Sequence, residues 1–460
     1  MNLVFVNPNF ANYRSKDAMQ PLVFAILASL TPKHVNIKLF DERVENVDLD
    51  WPADLVAMSV QSFTARRAYG LAQMYRARGI PVILGGVHPS LLPEEAQQMA
   101  DSIVIGDAEK IWPQIIEDFQ AGQLQKVYHG DNLHPLDGIR PDRSIFADKK
   151  YSSFIPVQFG RGCKFACDFC SVRAYYGNTI RQRPVDDVID EIKALGSKHL
   201  FFIDDNLFLN FANALQLFEA LIPLKVRWIC QISIDAAFND ELLSLMKRGG
   251  CRAVFVGLES FSDQNLKQMK KACNLKHTDY HDAIKRFKSY GIMVCGSFVF
   301  GYDEDTAEAI QGTLAFALKA KLCLAHFNPL FPTPKTPLYE RLQAEGRLNS
   351  EKWWVDPRFT YGDGLFQPKK MSSDEVSFAC FKARITFNTY FNILRRAIDF
   401  KANAGNLFNL KAYLAANLVS RIEIYKKQWL ILGKNRLEKR SERAQSFASS
   451  RLVKKVKHGK

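Results

Sequence analysis

Short apolar runs alternate with helical stretches along most of the chain. Leu3–Val6 is an apolar strand that stops at Asn7-Pro8, Leu22–Leu30 is helical, and Val35–Phe40 and Leu55–Ser59 are the next strands. A helix from Thr64 to Arg78 leads to Val82–Leu84, which stops at Gly85-Gly86, and Ser102–Ile105 is the last short strand of this series. Strands alternating with helices predict a parallel sheet covered on both faces, a doubly wound domain. Ligands of such domains bind beyond the strand C-termini. The glycine pair Gly85-Gly86 lies there; it serves either a tight turn or the close approach of a ligand to the backbone.

Residues 106–150 form a connector rich in Asp, Gly and Pro, with a helix at Ala108–Phe119. A second β/α series then begins. Its strands are Phe154–Phe159, His199–Ile203, Arg227–Ile234, Ala253–Leu258, Ile292–Phe300 and Leu322–Leu330, separated by helices such as Val185–Leu195, Asp240–Arg248 and Tyr280–Tyr290. Six β/α units predict a partial barrel, with its chemistry at the C-terminal strand ends. Residues 351–460 read as helical. Asp374–Phe400 is one long stretch, and Leu407, Leu410, Leu414, Leu418, Ile422, Tyr425 and Trp429 form a stripe expected to face the core. The predicted organisation is a Rossmann-like domain at 1–130, a linker at 131–150, a partial barrel at 151–345, a helical region at 346–432 and a basic tail at 433–460, expected to be poorly ordered.

Composition narrows the classes. The chain has 460 residues, 47% of them hydrophobic, and a net charge of +14. No apolar run reaches membrane-spanning length, and the first residues lack the pattern of a signal peptide. Nine cysteines without a disulfide framework suit a reducing cytosol. The charge is uneven: after Gly433, ten Lys/Arg face only Glu438 and Glu442. The basic excess is thus a terminal extension and not a groove in the body, which speaks against nucleic acid. Such a tail is either a solvated end or a contact to an anionic membrane or nucleic acid; the expected location is the cytoplasm, with peripheral attachment to the inner membrane face as the variant.

The candidate chemistry sits in G-R-G-C-K-F-A-C-D-F-C-S, where Cys163, Cys167 and Cys170 form a C-x3-C-x2-C pattern. Three thiolates on a four-iron cluster leave one iron open. Phe169 sets an aromatic ring beside the last cysteine. Cys167-Asp-Phe-Cys170 alone could be a zinc knuckle or a redox pair, but a zinc site needs a second Cys/His pair, and the other six cysteines are scattered singly. Asp204, Asp205 and Asn206 follow the second barrel strand. They either contact a cofactor or cap the next helix. Glu259 and Ser260 end the fourth strand, and Gln231 and Ser233 lie on the third.

These runs resemble the radical S-adenosylmethionine (SAM) superfamily, in its subfamily with an N-terminal cobalamin-binding-type domain, which includes hopanoid C-2 methylases and anaerobic oxidative cyclases. The matching stretches are V-F-V-N-P at the start, I-L-G-G-V-H-P-S-L-L-P-E-E at 83–95, I-G-D-A-E-K-I-W-P at 105–113, C-K-F-A-C-D-F-C, F-F-I-D-D-N-L-F, V-F-V-G-L-E-S and F-P-T-P-K-T-P-L-Y-E-R-L. The resemblance implies a 4Fe–4S cluster on Cys163, Cys167 and Cys170. SAM would lie near Phe169, Asp204, Asp205, Asn206, Gln231, Ser233, Glu259 and Ser260, and cobalamin near Gly85 and Gly86. It also implies a one-electron reductant such as flavodoxin or ferredoxin, and a small-molecule or lipid-like substrate. One departure stands out. Many cobalamin domains carry D-x-H-x-x-G after the first strand, whereas this loop reads N-P-N-F-A-N-Y-R-S-K-D and has no His. His88 lies in another loop and is read as a surface residue. Cobalamin-assisted C-methylation is the leading expectation. A radical SAM cyclase or rearrangement enzyme without working cobalamin is the second, and a non-catalytic iron–sulfur sensor or scaffold the third.

Overall fold

A computed structural model describes residues 1–433. Two six-stranded parallel sheets dominate it. The first contains β1 (Asn2–Asn7), β2 (Asn36–Asp41), β3 (Leu55–Ser59), β4 (Val82–Gly85), β5 (Ser102–Ile105) and β6 (Val127–His129), in the order β2-β1-β3-β4-β5-β6. Because side chains alternate across a strand, Leu3 and Phe5 enter one core with Trp112 and the helix Leu22–Leu30, while Val4 and Val6 enter the other. The second core is closed by the helix Ala65–Arg76 and by Trp353, Trp354 and Leu365 from the C-terminal region. β6 was not foreseen: Val127-Tyr-His is too short to show a periodicity, and its pairing with β5 makes it a strand. The doubly wound domain is as predicted, with one more strand.

The second sheet contains β7 (Ile155–Val157), then β10 (His199–Phe202), β11 (Arg227–Ile232), β12 (Cys251–Glu259), β13 (Met293–Phe300) and β14 (Leu324–Pro329), with each strand hydrogen-bonded to the next. A short antiparallel pair, β8 (Gly160–Arg161) with β9 (Arg181–Gln182), follows β7. This is the partial (β/α)6 barrel. Its outward residues, such as Leu200, Phe202, Trp228, Val254 and Phe327, pack under the helices. Phe201, Phe255 and His326 face the lumen, and their rings lie in line across it at 5.7 and 6.3 Å.

The predicted Asp374–Phe400 helix is two helices, Ser373–Phe387 and Tyr390–Ala397. The break falls where Thr389 caps the second through its hydroxyl to Asn392 N. The first packs against β14 as a further barrel helix. The final helix, Leu407–Lys427, overturns the expected orientation of its stripe. It buries Asn409, Tyr413 and Asn417, whereas Leu407, Leu418, Ile422 and Tyr425 are exposed. Carbonyls of the strand and loop ends demand partners. Asn417 Nδ2 donates to Cys323 O at 3.1 Å, and Asn409 Nδ2 to Ala402 O at 3.0 Å. The basic tail lies outside the described residues.

Candidate active site

The cysteine loop hangs between β8 and β9. Gly162 starts it at φ +89°, where a Cβ would lie 2.0 Å from Thr179 O, so only glycine fits. The two aspartates after β10 hold the loop. Asp204 accepts Phe159 N at 3.1 Å and also Gly160 N, and Asp205 accepts Gly162 N at 2.9 Å. Burial pushes the Asp204 carboxyl up to about 7 against the pull of those amides. On the far side, Asp168 N donates to Met269 O at 3.0 Å, its carbonyl accepts Leu338 N at 3.0 Å, and its carboxylate accepts the Tyr302 hydroxyl. Phe169 packs into the apolar group of Leu266, Met269, Tyr302 and Leu338 beneath the loop.

Cys167 is buried, and Cys163 and Cys170 are half-buried. Burial raises all three thiols, Cys167 to about 12, and the nearby Lys271 ammonium opposes this at each of them. Lys271 is the one cation acting on all three. Burial works against its own charge, but the Glu259 carboxylate and the Cys167 and Cys273 thiols raise its pKa overall. Lys271 Nζ donates to Glu259 Oε1 at 2.8 Å. Glu259 sits at φ +61°, an uncommon conformation for a side-chain-bearing residue, and a Cβ on Gly257 would lie 2.2 Å from its Oε1. The charge of Glu259 is thus already balanced by Lys271.

The other predicted residues divide. Asp205 and Gln231 open into the lumen. Asn206 binds β10 to β11: its Nδ2 donates to Ser233 Oγ at 3.0 Å, and its Oδ1 accepts Phe208 N and Ser233 N. Ser260 Oγ accepts Ser262 N at 3.1 Å in the turn after β12. Asp204, Asn206, Ser233 and Ser260 are therefore committed to backbone and turn contacts, but not to the expected helix capping: Asn210 caps the next helix, accepting Asn213 N. Lys271, Asp168 and His326 were missed. Lys271 lies in the run K-Q-M-K-K, which reads as a solvated charged stretch. His326 faces the lumen from β14; burial, with Arg384 and Lys427 nearby, keeps its imidazole below the ordinary range.

A cavity of about 320 Å³ separates the first sheet from the barrel. Gly85 and Gly86 line it from the first domain, and Arg161, Tyr175, Tyr176 and Ile203 from the barrel. Gly86 is required by its turn: at φ +98° a Cβ would meet Val60 N at 2.9 Å. A polar latch closes one wall. Arg161 donates to Asp107 at 2.8 Å and to Glu109 at 2.5 Å, and Arg181 donates to Asp107 at 2.6 Å. No histidine lines the cavity among the described residues. His88 is not on the surface. It is fully buried, with Nδ1 3.2 Å from Ser62 Oγ and Nε2 3.0 Å from the Tyr69 hydroxyl. Glu95 joins this group and accepts Trp354 Nε1 at 2.8 Å.

The donor set tests the implied cluster. Among the described residues, no three His, Cys, Asp or Glu side chains are gathered as around a single metal ion. The loop instead offers three thiols, no fourth ligand and one buried cation to favour thiolates, which fits a cluster with an open iron.

A partial barrel with a three-cysteine loop after its first strand defines an iron–sulfur radical enzyme class. Residues 157–317 match the radical SAM superfamily. The bacteriochlorophyllide d C-12(1)-methyltransferase of Chlorobaculum tepidum is 31% identical over 77% of this chain and 80% of its own length. The hopanoid C-2 methylase of Rhodopseudomonas palustris is 26% identical over 72% and 65%. The methyltransferase TsrM of Kitasatospora setae, solved with cobalamin and a [4Fe-4S] cluster bound, superposes with a TM-score of 0.63 at 17% identity, covering 93% of this chain and 98% of TsrM. The chain belongs to the radical SAM superfamily. It is an enzyme of that superfamily, which binds a 4Fe–4S cluster and SAM.

Proposed function

We propose that the protein is a cobalamin-assisted radical SAM C-methyltransferase acting on an apolar, polycyclic or lipid-like small molecule. The observation that carries this is the cavity between the first domain and the barrel, next to the cysteine loop. In this reading residues 1–130 hold cobalamin, with Gly85 and Gly86 against its periphery, and residues 151–345 hold the cluster and SAM. Cys163, Cys167 and Cys170 are the cluster ligands. Bound there and reduced by a flavodoxin- or ferredoxin-type donor, the cluster supplies the electron that breaks a sulfonium C–S bond of SAM. Asp205 and Gln231, the polar groups open to the lumen, contact SAM. Lys271, balanced by Glu259, favours the thiolate form of the ligands. Asp204, Asn206, Ser233, Ser260 and Phe169 position the loops around them.

Cobalamin, when bound, supplies the methyl carrier. With His88 enclosed elsewhere and no histidine lining the cavity among the described residues, Gly85 and Gly86 would hold cobalamin there and no histidine would be available to it. The lumen's Phe201 and Phe255 suit an apolar substrate. The basic tail adds contact to an anionic membrane. Anaerobic reconstitution followed by spectroscopy for cluster and cobalamin together, with methyl-labelled SAM, tests the reading. The expected outcome is both cofactors and label in a carbon-bound methyl group. A cluster with SAM cleavage but without retained cobalamin would favour the cyclase or rearrangement reading.

A further inference from the structure

The helices Tyr390–Ala397 and Leu407–Lys427 form a pair whose outer side is apolar and uncovered. Tyr413 Oη donates to Ile393 O at 2.7 Å, and the Arg421 guanidinium lies 4.4 Å from the centre of the Tyr390 ring and 5.5 Å from that of Tyr425. These contacts bring the outer faces of the two helices side by side. Phe391 is 74% exposed, Leu394 63%, Phe400 78% and Leu407 67%, and Ile398 and Ile422 of the same segment are exposed as well. Among the described residues, most of the large exposed hydrophobic side chains fall within this one segment. A contiguous patch of this kind marks an interaction surface, whereas scattered exposed residues do not.

The exposed charges within the segment have one sign. The segment 390–427 holds two acids, and both are buried in ion pairs: Asp399 with Lys288 at 2.6 Å and Glu423 with Lys427 at 3.2 Å. Arg395, Lys401, Lys411 and Lys426 are exposed. We propose that this face lies on an anionic lipid bilayer, with the helix pair in the plane of the membrane–water boundary. Apolar side chains flanked by cations are what such a boundary accepts. A second copy of the chain fits less well, because pairing this face with itself sets its cations against their own kind. The chain's own tail carries the same sign of charge. Neither helix is long and apolar enough to cross a bilayer, so the contact is one of lying on the surface. The inference does not depend on the reaction proposed above.

The test is flotation of the full-length, cluster-loaded protein with vesicles of phosphatidylcholine, alone or with about one-third phosphatidylglycerol. Binding to the phosphatidylglycerol vesicles is expected. The double variant Leu394→Glu/Phe400→Glu should weaken it by about tenfold or more, with SAM cleavage unchanged. As a second readout, Phe400→Trp should show a blue-shifted emission on adding those vesicles. Truncation after Gly433 should leave a component of binding that still depends on Leu394 and Phe400. Absence of vesicle binding would overturn the proposal. So would equal binding by the double variant, which would assign attachment to the tail alone. A lipid-free dimer that the double variant splits would overturn it in favour of a second copy.

Discussion

The two parallel sheets end differently. At the C-terminal edge of the first, carboxylates are consumed. Asp41 accepts the Arg43 guanidinium and the Tyr151 hydroxyl, and Glu42 accepts Arg67. At the same edge of the barrel, Asp205, Gln231 and His326 remain open to the lumen beside one buried and two half-buried thiols. Both sheets obey the rule that ligands gather at strand C-termini. The difference shows that a polar strand end becomes reactive only when its groups are not already neutralised by neighbours. The first domain uses its polar residues to build walls, and its cavity is shaped by backbone and rings.

The sharpest way to break this comparison is at the thiols. Cys167→Ala should abolish both the cluster and SAM cleavage, read by iron content and deoxyadenosine formation. Full iron content in that variant would refute the ligand assignment. Lys271→Met should lower SAM cleavage by about ten- to a hundredfold, the usual effect of removing a group that supports metal ligands. Lys271→Arg should restore part of it. An unchanged rate and an unchanged cluster potential in the Met variant would show that Lys271 only packs.

The walls of the first domain should respond in stability before chemistry. Arg161→Met removes the ion-pair partner of Glu109 and one of the two of Asp107 in a mostly buried site, and should cost about 3 kcal/mol in thermal or denaturant unfolding. Glu95→Gln is a smaller perturbation. Burial alone would raise the Glu95 carboxyl, but hydrogen bonds from His88, Trp354 and Lys352 hold it down at about 2. A depressed folded-state pKa contributes stability above the unfolded value near 4.5 that is lost as pH falls toward 2. The variant should lose about 2 kcal/mol at neutral pH, and its stability should fall less steeply on acidification. The smallest expected effect is that of His88→Ala on bound cobalamin. The cobalt spectrum should not change, although the protein becomes less stable. A shift in that spectrum would move His88 into the cavity.

Much of the fold was legible because parallel sheets buried on both faces leave continuous apolar runs. The cysteine spacing was equally legible, since the three thiols proposed to hold one cluster lie together in one short loop. The roles of the residues around that loop were less so. Asp204 and Asp205 are adjacent in sequence and alike in chemistry, yet one is enclosed by amides and the other faces the lumen, because successive residues leaving a strand point to opposite sides. Lys271 and Glu259 meet across twelve residues and two turns, with no local pattern to announce the pair.

The final helix marks the boundary between what sequence and tertiary structure decide. Its sequence determined that Leu407–Lys427 is helical and has one apolar face, because three- and four-residue spacing gathers side chains on one side of a helix. It did not determine which side meets the protein. That was decided by the buried polar partners waiting there: Asn417 donates to Cys323 O and accepts the Arg396 guanidinium, and Asn409 donates to Gly291 O and Ala402 O. Leaving such buried polar groups without these hydrogen bonds costs about as much as the burial of a small apolar side chain returns. The helix therefore turned its asparagines inward and left Leu407 and Leu418 outside.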